Sequence, residues 1–214
     1  MSLVELERSL QELSHGDEAL KTVQAFAQGL SRNERVQLFN ASGALVRFPI
    51  HYEAAVAQGV IVDTEDEFVL LQGDIIRTDA AYLLGERLVG RSYAIANSTC
   101  DLVPGRREYA LLLPLHPILR TESSAKAQLG ELLSFRSNRR MYLPPLPGDS
   151  PDVVGNAIVF DGVVGARMED AILAERVASL SLVGWRIFGS HLRGVLTRAG
   201  ESEATLRRAF TKSS

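Results

Sequence analysis

Leucines and valines recur at helical spacing from the start of the chain. Leu6, Leu10 and Leu13 share one face, and Leu20, Val23, Ala27 and Leu30 repeat that stripe after a break at Ser14-His15-Gly16-Asp17. Two amphipathic helices are predicted, with Asp17 as the N-cap of the second. Ser31-Arg32-Asn33-Glu34 matches a capping box. It predicts a third helix that turns Val36, Leu38 and Phe39 inward and stops at Asn40-Ala41-Ser42-Gly43. Isolated helices of this length are marginal, so they need a surface to pack on.

The pattern then changes to short runs of branched and aromatic residues. Val60-Ile61-Val62, Phe68-Val69-Leu70-Leu71, Asp74-Ile75-Ile76, residues 93–96 and residues 109–115 are bounded by Gly, Asp or Pro and predict strands. Most have no helical crossover between them, which predicts an antiparallel sheet or small barrel with Ile75, Ile95 and Leu112 in one apolar core. Glu65-Asp66-Glu67 reads as a charged turn. Ser123-Ser124 opens a helix with Leu129, Leu132 and Leu133 on one side. Residues 144–151, PPLPGDSP, read as a stiff polyproline-like connector. Beyond it, Asp161-Gly162 between Ile158-Val159-Phe160 and Val163-Val164 predicts a β-hairpin.

The tail predicts a helix pair. One helix carries Ile172, Leu173, Val177 and Leu180, the other Val183, Ile187, Val195 and Leu196, with Ser179 and Ser181 at the junction. Gly184, Gly189 and Gly194 in the last helix read as points of close packing. The expected fold class is therefore α+β: a small antiparallel β-barrel flanked by N-terminal helices and a C-terminal hairpin plus helix pair. The regions are 1–50, helical; 51–143, barrel core with an inserted helix; and 144–214, connector, hairpin and helices.

Composition narrows the classes. The chain has 214 residues, 46% hydrophobic and 23% charged, an ordinary balance for a globular protein with a sizeable core. Residues 1–70 carry 11 acids and 5 bases, whereas the remainder carries 15 acids and 18 bases. An acidic front and a basic rear fit internal complementarity or an acidic partner, and a pI near 5.9 argues against indiscriminate coating of nucleic acid. No secretory signal opens the chain, and no apolar run approaches the ~20 residues of a membrane helix. A single cysteine excludes an internal disulfide and suits a reducing cytoplasm. His15, His51, His116 and His191 stand singly, so neither a metal site nor any cofactor is expected.

Candidate chemistry concentrates between Gly90 and Pro117. Two apolar runs flank a polar loop with Asn97, Ser98, Thr99, Cys100, Asp101, Arg106 and Arg107. Cys100 admits a thiolate nucleophile with His116 as base, or a small half-buried side chain of no chemical role. Asp101 is expected to bond the loop backbone as an Asx-turn. Phe135-Arg136-Ser137-Asn138-Arg139-Arg140-Met141-Tyr142 interleaves aromatics with arginines, as single-stranded nucleic-acid surfaces do, or as a solvated basic face at a helix end does. Arg106, Arg107, Arg136, Arg139 and Arg140 are the candidate nucleic-acid contacts.

The order Gln72-Gly73-Asp74-Ile75-Ile76, then Arg91-Ser92-Tyr93-Ala94-Ile95-Ala96-Asn97-Ser98-Thr99, then Leu111-Leu112-Leu113-Pro114-Leu115 resembles the MazF/PemK-like family. There a Gly-Asp-hydrophobic strand precedes an Arg-Pro-hydrophobic strand and a hydrophobic strand ending near Pro. The resemblance spans residues 73–117. It implies a small SH3-like barrel and a toxin–antitoxin-like, bacterial setting, in which toxin members cleave single-stranded RNA without metal. It places Arg91 at the catalytic arginine and Asn97 at the polar end of the same strand. Ser92 stands where the family has proline, and His116-Pro117 where toxins carry threonine. Physically, RNA cleavage needs a base for the 2′-OH, a cation for the phosphate and a leaving-group acid, roles open to Arg91, His116 and Arg106 or Arg107 if the strands neighbour one another; otherwise Arg91 merely opens a strand and His116 caps one.

The expected function is a non-enzymatic cytoplasmic binding module for single-stranded RNA or a protein partner, a second copy of itself included, away from membranes. The alternatives are a metal-independent endoribonuclease using Arg91 and His116, an enzyme with a Cys100 nucleophile, and a structural assembly subunit.

Overall fold

A computed structural model describes residues 2–61 and 67–196. Three helices come first: α1 (Leu3–Gln11), α2 (Asp17–Gln28) and α3 (Arg32–Asn40). The middle holds β1 (Val46–Arg47), α4 (Tyr52–Ala57), β2 (Ile75–Thr78), β3 (Ala81–Leu83), β4 (Glu86–Leu88), β5 (Arg91–Ile95), a 3₁₀ turn (Thr99–Leu102) and β6 (Tyr109–Leu119). Then follow α5 (Ala125–Leu132), β7 (Arg140–Leu143), β8 (Val153–Val159), β9 (Val164–Arg167), α6 (Met168–Ile172), β10 (Glu175–Leu180) and α7 (Leu182–Leu196).

The fold is α+β, and every strand pair is antiparallel. The sheet runs β1-β10-β2-β5-β6-β9-β3-β4, with β8 and β7 branching from the far half of β6. It stays open, because β1 and β4 end the path without meeting. The long strand β6 organises it. Its first half pairs with β9 and β5, and its second half, from Leu115, pairs with β8.

The expected single barrel core is not what forms. Adjacent strand residues point to opposite faces, so Ile75 enters the larger core with Leu113, Leu115, Phe188 and the helices. Ile76, Ile95 and Leu112 enter a smaller core on the other face, closed by Leu70, Leu102 and Met168. Residues 144–180 supply β8, β9 and β10 to the sheet built by the middle of the chain, so the sequence regions share one fold.

Several local expectations change for physical reasons. Asp161-Gly162 makes no hairpin: β8 and β9 both pair with β6, and the chain between them bulges, with Gly162 against Pro114. Phe68-Val69-Leu70-Leu71 forms no strand, because Asp74 folds it into a turn, its carboxylate accepting from the Leu71 N–H at 2.8 Å. Val60 and Ile61 lie in a turn, while Val62, Glu65, Asp66 and the Leu196 side chain lie outside what is described.

The helix pair reduces to α7 alone. Val177 and Leu180 belong to β10, a strand buried on both faces, whose continuous apolar run fits helical spacing equally well. Leu173 is 85% exposed, off any core. Asp17 is the first residue of α2, and Gly16 takes the cap position. The Ser31/Glu34 capping box forms with both of its bonds, and Ser2 with Glu5 makes an equivalent one on α1. The proline-rich stretch is a tied turn, not a spacer: Asp149 accepts from the Leu146 N–H and from Asn156, and Arg77 donates to the Pro147 carbonyl.

The β10–β2 join rests on a buried ion pair. Arg176 reaches Asp74 at 2.7 Å, and Asp74 is fully buried. Ser179 donates to the same carboxylate at 2.5 Å and accepts from the Ile50 N–H, while Arg176 also donates to the Ile50 carbonyl. Burial pushes the Asp74 carboxyl above its ordinary value, against the pull of Arg176, Ser179 and the Leu71 amide.

Two of the three glycines in α7 are contact points. A Cβ on Gly184 would lie 2.2 Å from the Leu45 carbonyl oxygen, and one on Gly189 would lie 2.2 Å from His15 Nδ1, whereas one on Gly194 meets nothing within 4 Å. Gly184→Ala should therefore destabilise by about 1–3 kcal/mol through overpacking, while Gly194→Ala should stabilise by up to about 1 kcal/mol through helix propensity. Urea melts of the two variants check this, and equal shifts would contradict the packing argument.

Candidate functional site: a basic ledge and the cleft beside it

β5 and β6 bring Arg91 and His116 together. Their register pairs Tyr93 with Pro114. Two residues outward on each strand stand Arg91 and His116, on one face because side chains alternate. His116 is itself held in the sheet by β8, opposite Ala157. Desolvation lowers its pKa below the ordinary histidine value, and the charges of Arg140 and Arg91 lower it further, with Asp161 opposing them. The imidazole is thus neutral near pH 7 and sits in positive potential. Arg91, Arg139 and Arg140 have no carboxylate partner among the described residues.

A cleft of about 920 Å³ lies between the α1–α2 turn, α7 and the β8–β9 bulge. Arg139 and Asp161 line it beside His15, Asp17, Ser190, His191 and Arg193. Ser190 accepts from the Gly16 N–H at 3.0 Å, and Arg193 donates to the His15 carbonyl at 3.0 Å, which pins the turn to α7. His15 sits edge-on to Trp185 with ring centroids 4.2 Å apart. His191 packs on Phe160 at 5.0 Å and is 3% exposed, and its Nε2 has no partner. Burial pushes its pKa down to about 4. His15 and His191 escaped the sequence reading because each stands alone in the chain; only the fold joins the break before α2 to the last helix.

Cys100 lies apart from this site. Arg91 opens β5, while the loop to Cys100 leaves its other end, and five strand residues alone span ~13 Å. His116, beside Arg91, is not within reach of the thiol as a base. The polar loop residues are engaged locally. Cys100 Sγ lies 3.0 Å from Ser98 Oγ, Arg106 donates to the Cys100 carbonyl at 3.0 Å, and Asn97 accepts from the Leu111 N–H at 2.6 Å. Thr99 accepts from the Gln72 N–H. Asp101 pairs with Arg107 at 3.0 Å where an Asx-turn was expected.

The five arginines do not form one surface. Arg106 and Arg107 precede the first residue of β6, whereas Arg140 opens β7, beside Val159 and level with the middle of β6. Along the strand that is about seven residues, or ~23 Å. The aromatics of residues 135–142 also turn inward. Phe135 packs edge-on to Phe39 at 4.8 Å, and the Tyr142 hydroxyl donates to Asn40, which leaves Arg136, Arg139 and Arg140 exposed without stacking partners.

A second, smaller cavity of about 260 Å³ lies at the start of α7, lined by Leu71, Gln72, Asp74, Ser179, Ser181 and Trp185 among others. Its polar groups already satisfy one another: Trp185 donates to Gln72 Oε1, Gln72 donates to the Ala96 carbonyl, and Ser181 caps α7 at the Gly184 N–H. Among the described residues no cluster of three or more His, Cys, Asp or Glu is arranged to hold a metal ion, and no helix is long and apolar enough to cross a membrane. Comparisons with protein-family models, with curated proteins and with solved structures each return no match.

The buried His191 makes stability pH-dependent. Its folded pKa of about 4 lies below the ordinary 6.5, so the unfolded chain takes up the proton first. Its contribution is intact above pH 6.5 and is lost as the pH falls towards 4, by about 3 kcal/mol at most. The pH 7 to pH 4.5 drop in unfolding free energy should be smaller in His191→Leu than in wild type, measured by urea melts. Equal drops would mean that His191 titrates normally.

Proposed function

We propose that the protein is a non-enzymatic module that binds single-stranded RNA, its phosphates running past Arg91, Arg140 and Arg139 into the cleft beside α7. One observation carries this reading: two arginine charges from different strands bear on His116, and neither has a carboxylate partner among the described residues. Guanidinium groups held on a sheet without counter-charges are ready-made phosphate contacts, since Arg bonds phosphate oxygens in a fixed fork. The cleft, at about 920 Å³, has room for a nucleotide, and its lining carries Arg139 and Arg193 together with Asp17, Glu18 and Asp161. The resemblance of residues 73–117 to the MazF/PemK-like family favours the same reading, because it puts Arg91 at that family's arginine.

The Arg91–His116 neighbourhood favours a second reading, metal-independent RNA cleavage of MazF/PemK type. A neutral imidazole can take the 2′-OH proton, and Arg91 can stabilise the charge that grows on the phosphate. The Cys100 mechanism has no such support, since the thiol lacks its base.

Retention of single-stranded RNA should weaken linearly on a log–log salt plot. Arg91→Ala and Arg140→Ala should each flatten the slope by roughly 0.7–1. No retention at low salt would remove the RNA reading and leave a protein partner. For the second reading, cleavage should survive a chelator and fall by about 10²-fold or more in Arg91→Ala. His116→Ala should lower it too, and Cys100→Ser should leave it intact. Binding without any cleavage would discard the enzyme and keep the module.

A further inference from the structure

The cleft beside α7 does not share the charge of the ledge. Three carboxylates line it, Asp17, Glu18 and Asp161, against two guanidinium groups, Arg139 and Arg193. Arg193 is already engaged, since it donates to the His15 carbonyl at 3.0 Å. His191 lines the cleft too, and with its pKa pushed down to about 4 it adds no charge near pH 7. A phosphate entering here would meet more negative charge than positive. A neutral group that carries both hydrogen-bond donors and acceptors meets no such penalty.

One acid and one base of this set stand together. Arg140 pairs with Val159, and one step on the Phe160 N–H donates to the Arg139 carbonyl at 2.9 Å. The next step puts Asp161 across from Asn138. Ser137 accepts from the Arg140 N–H, which holds the turn that carries Asn138 and Arg139. Among the described residues neither the Asp161 carboxylate nor the Arg139 guanidinium has a hydrogen-bond or ion-pair partner. Asp17 and Glu18 have a structural reason to be acidic, because they fill the first turn of α2, where the helix dipole favours carboxylates. Asp161 lies in the bulge after β8 and has no such reason. It also acts on His116, so it borders both the ledge and the cleft.

We propose that the cleft takes a guanine base of single-stranded RNA, with Asp161 accepting from its Watson–Crick edge and Arg139 donating to its O6 and N7. The inference rests on the RNA reading above and adds the base to a strand whose phosphates the ledge holds. The chemistry of the four bases selects guanine. Its N1–H and N2 amino group are adjacent donors that match the two oxygens of one carboxylate. Adenine and cytosine place a ring acceptor beside the amino group and would set it against the carboxylate. Uracil has a single N–H between two carbonyls. Guanine O6 and N7 are in turn the acceptors that an arginine fork holds.

Retention of three uridine oligomers, with guanine, inosine or adenine at the centre, tests this at one low salt concentration. Wild type should hold the guanine oligomer ~10-fold more tightly than the adenine one. Inosine, which lacks the N2 amino group, should lose most of that preference. Asp161→Ala should weaken the guanine oligomer and tighten the adenine one, because it removes both an acceptor and a charge that repels phosphate. Arg139→Ala should narrow the preference as well. Asp161 is exposed, so its variant should melt like wild type. Asp161→Ala that tightens all three oligomers alike would make the carboxylate a repulsive charge only and overturn the proposal. Equal retention of the three by wild type would overturn it too, while the RNA reading stands. No retention of any would end both. Guanosine monophosphate that binds as tightly as the guanine oligomer would assign the cleft to a free nucleotide and equally overturn it.

Discussion

The buried Asp74–Arg176 pair is the constraint on which the rest of the sheet depends. Burying two charges is costly, and further bonds support the pair: Ser179 and the Leu71 amide donate to the carboxylate and the Ile50 carbonyl accepts from Arg176, while the Arg176 Nε stays buried without a partner. The strand geometry serves it. Between Arg176 and Ala178 the β10–β2 register slips, and this bulge lets Arg176 reach back past Ile76 to a carboxylate that precedes β2. A one-residue slip would send every side chain of β10 to the wrong face and leave Asp74 buried and unpaired. Truncating either partner is correspondingly more damaging than the net worth of the pair, by about 3–5 kcal/mol. The pair therefore fixes register more than it adds stability.

From that register the position of α7 follows, and from α7 the cleft. β10 ends at Leu180, Ser181 caps the helix, and its hydroxyl also donates to the Ala44 carbonyl. Gly73, at φ +83, lies so close to Leu180 that a Cβ would sit 2.5 Å from the leucine side chain. Turn, strand and helix start are thus locked within a few residues. α7 then holds the N-terminal helices by polar contacts to backbone: Arg186 donates to the Leu10 carbonyl, and Arg193 to that of His15. These contacts tie one wall of the cleft to the helix that the sheet positions.

Local signals in the sequence were reliable where local chemistry decides the outcome. The N-terminal helices and the Ser31–Glu34 capping box were legible because a cap and a stripe are properties of adjacent residues. So was the strand character of Asp74-Ile75-Ile76 and of residues 109–115. Val177 and Leu180 misled because a strand buried on both faces loses its alternation. Asp161-Gly162 misled because a bulge and a hairpin use the same turn residues, and only the pairing of β6 distinguishes them. Arg91 and His116 were named together as residues of one possible site, but whether their strands neighbour one another is a matter of register, which no local signal carries. The weight placed on Cys100 came from the density of polar residues around it, and those residues hold the β5–β6 loop in place. His15 and His191 carried no sequence signal, since each gains meaning only from a contact made across the fold.

The arrangement around His116 fits charge recognition better than bond cleavage. Cleavage of RNA needs a group that takes a proton and another that gives one to the leaving oxygen. His116, with its lowered pKa, can take a proton, but it holds none to give at neutral pH. Arg91 and Arg140 do not release theirs. Tyr93 keeps its proton, and Arg91 and Asp79 both act on it, yet its hydroxyl is sealed in the smaller core without a hydrogen-bond partner. In the proposed reading, a phosphate on the ledge would meet two guanidinium groups and a neutral imidazole, with the Asp161 carboxylate acting on the same histidine. The surroundings of His116 favour its neutral form, since a charged imidazole beside two guanidinium groups would be repelled; in the proposed reading the neutral ring can donate one hydrogen bond to a phosphate that the arginines attract.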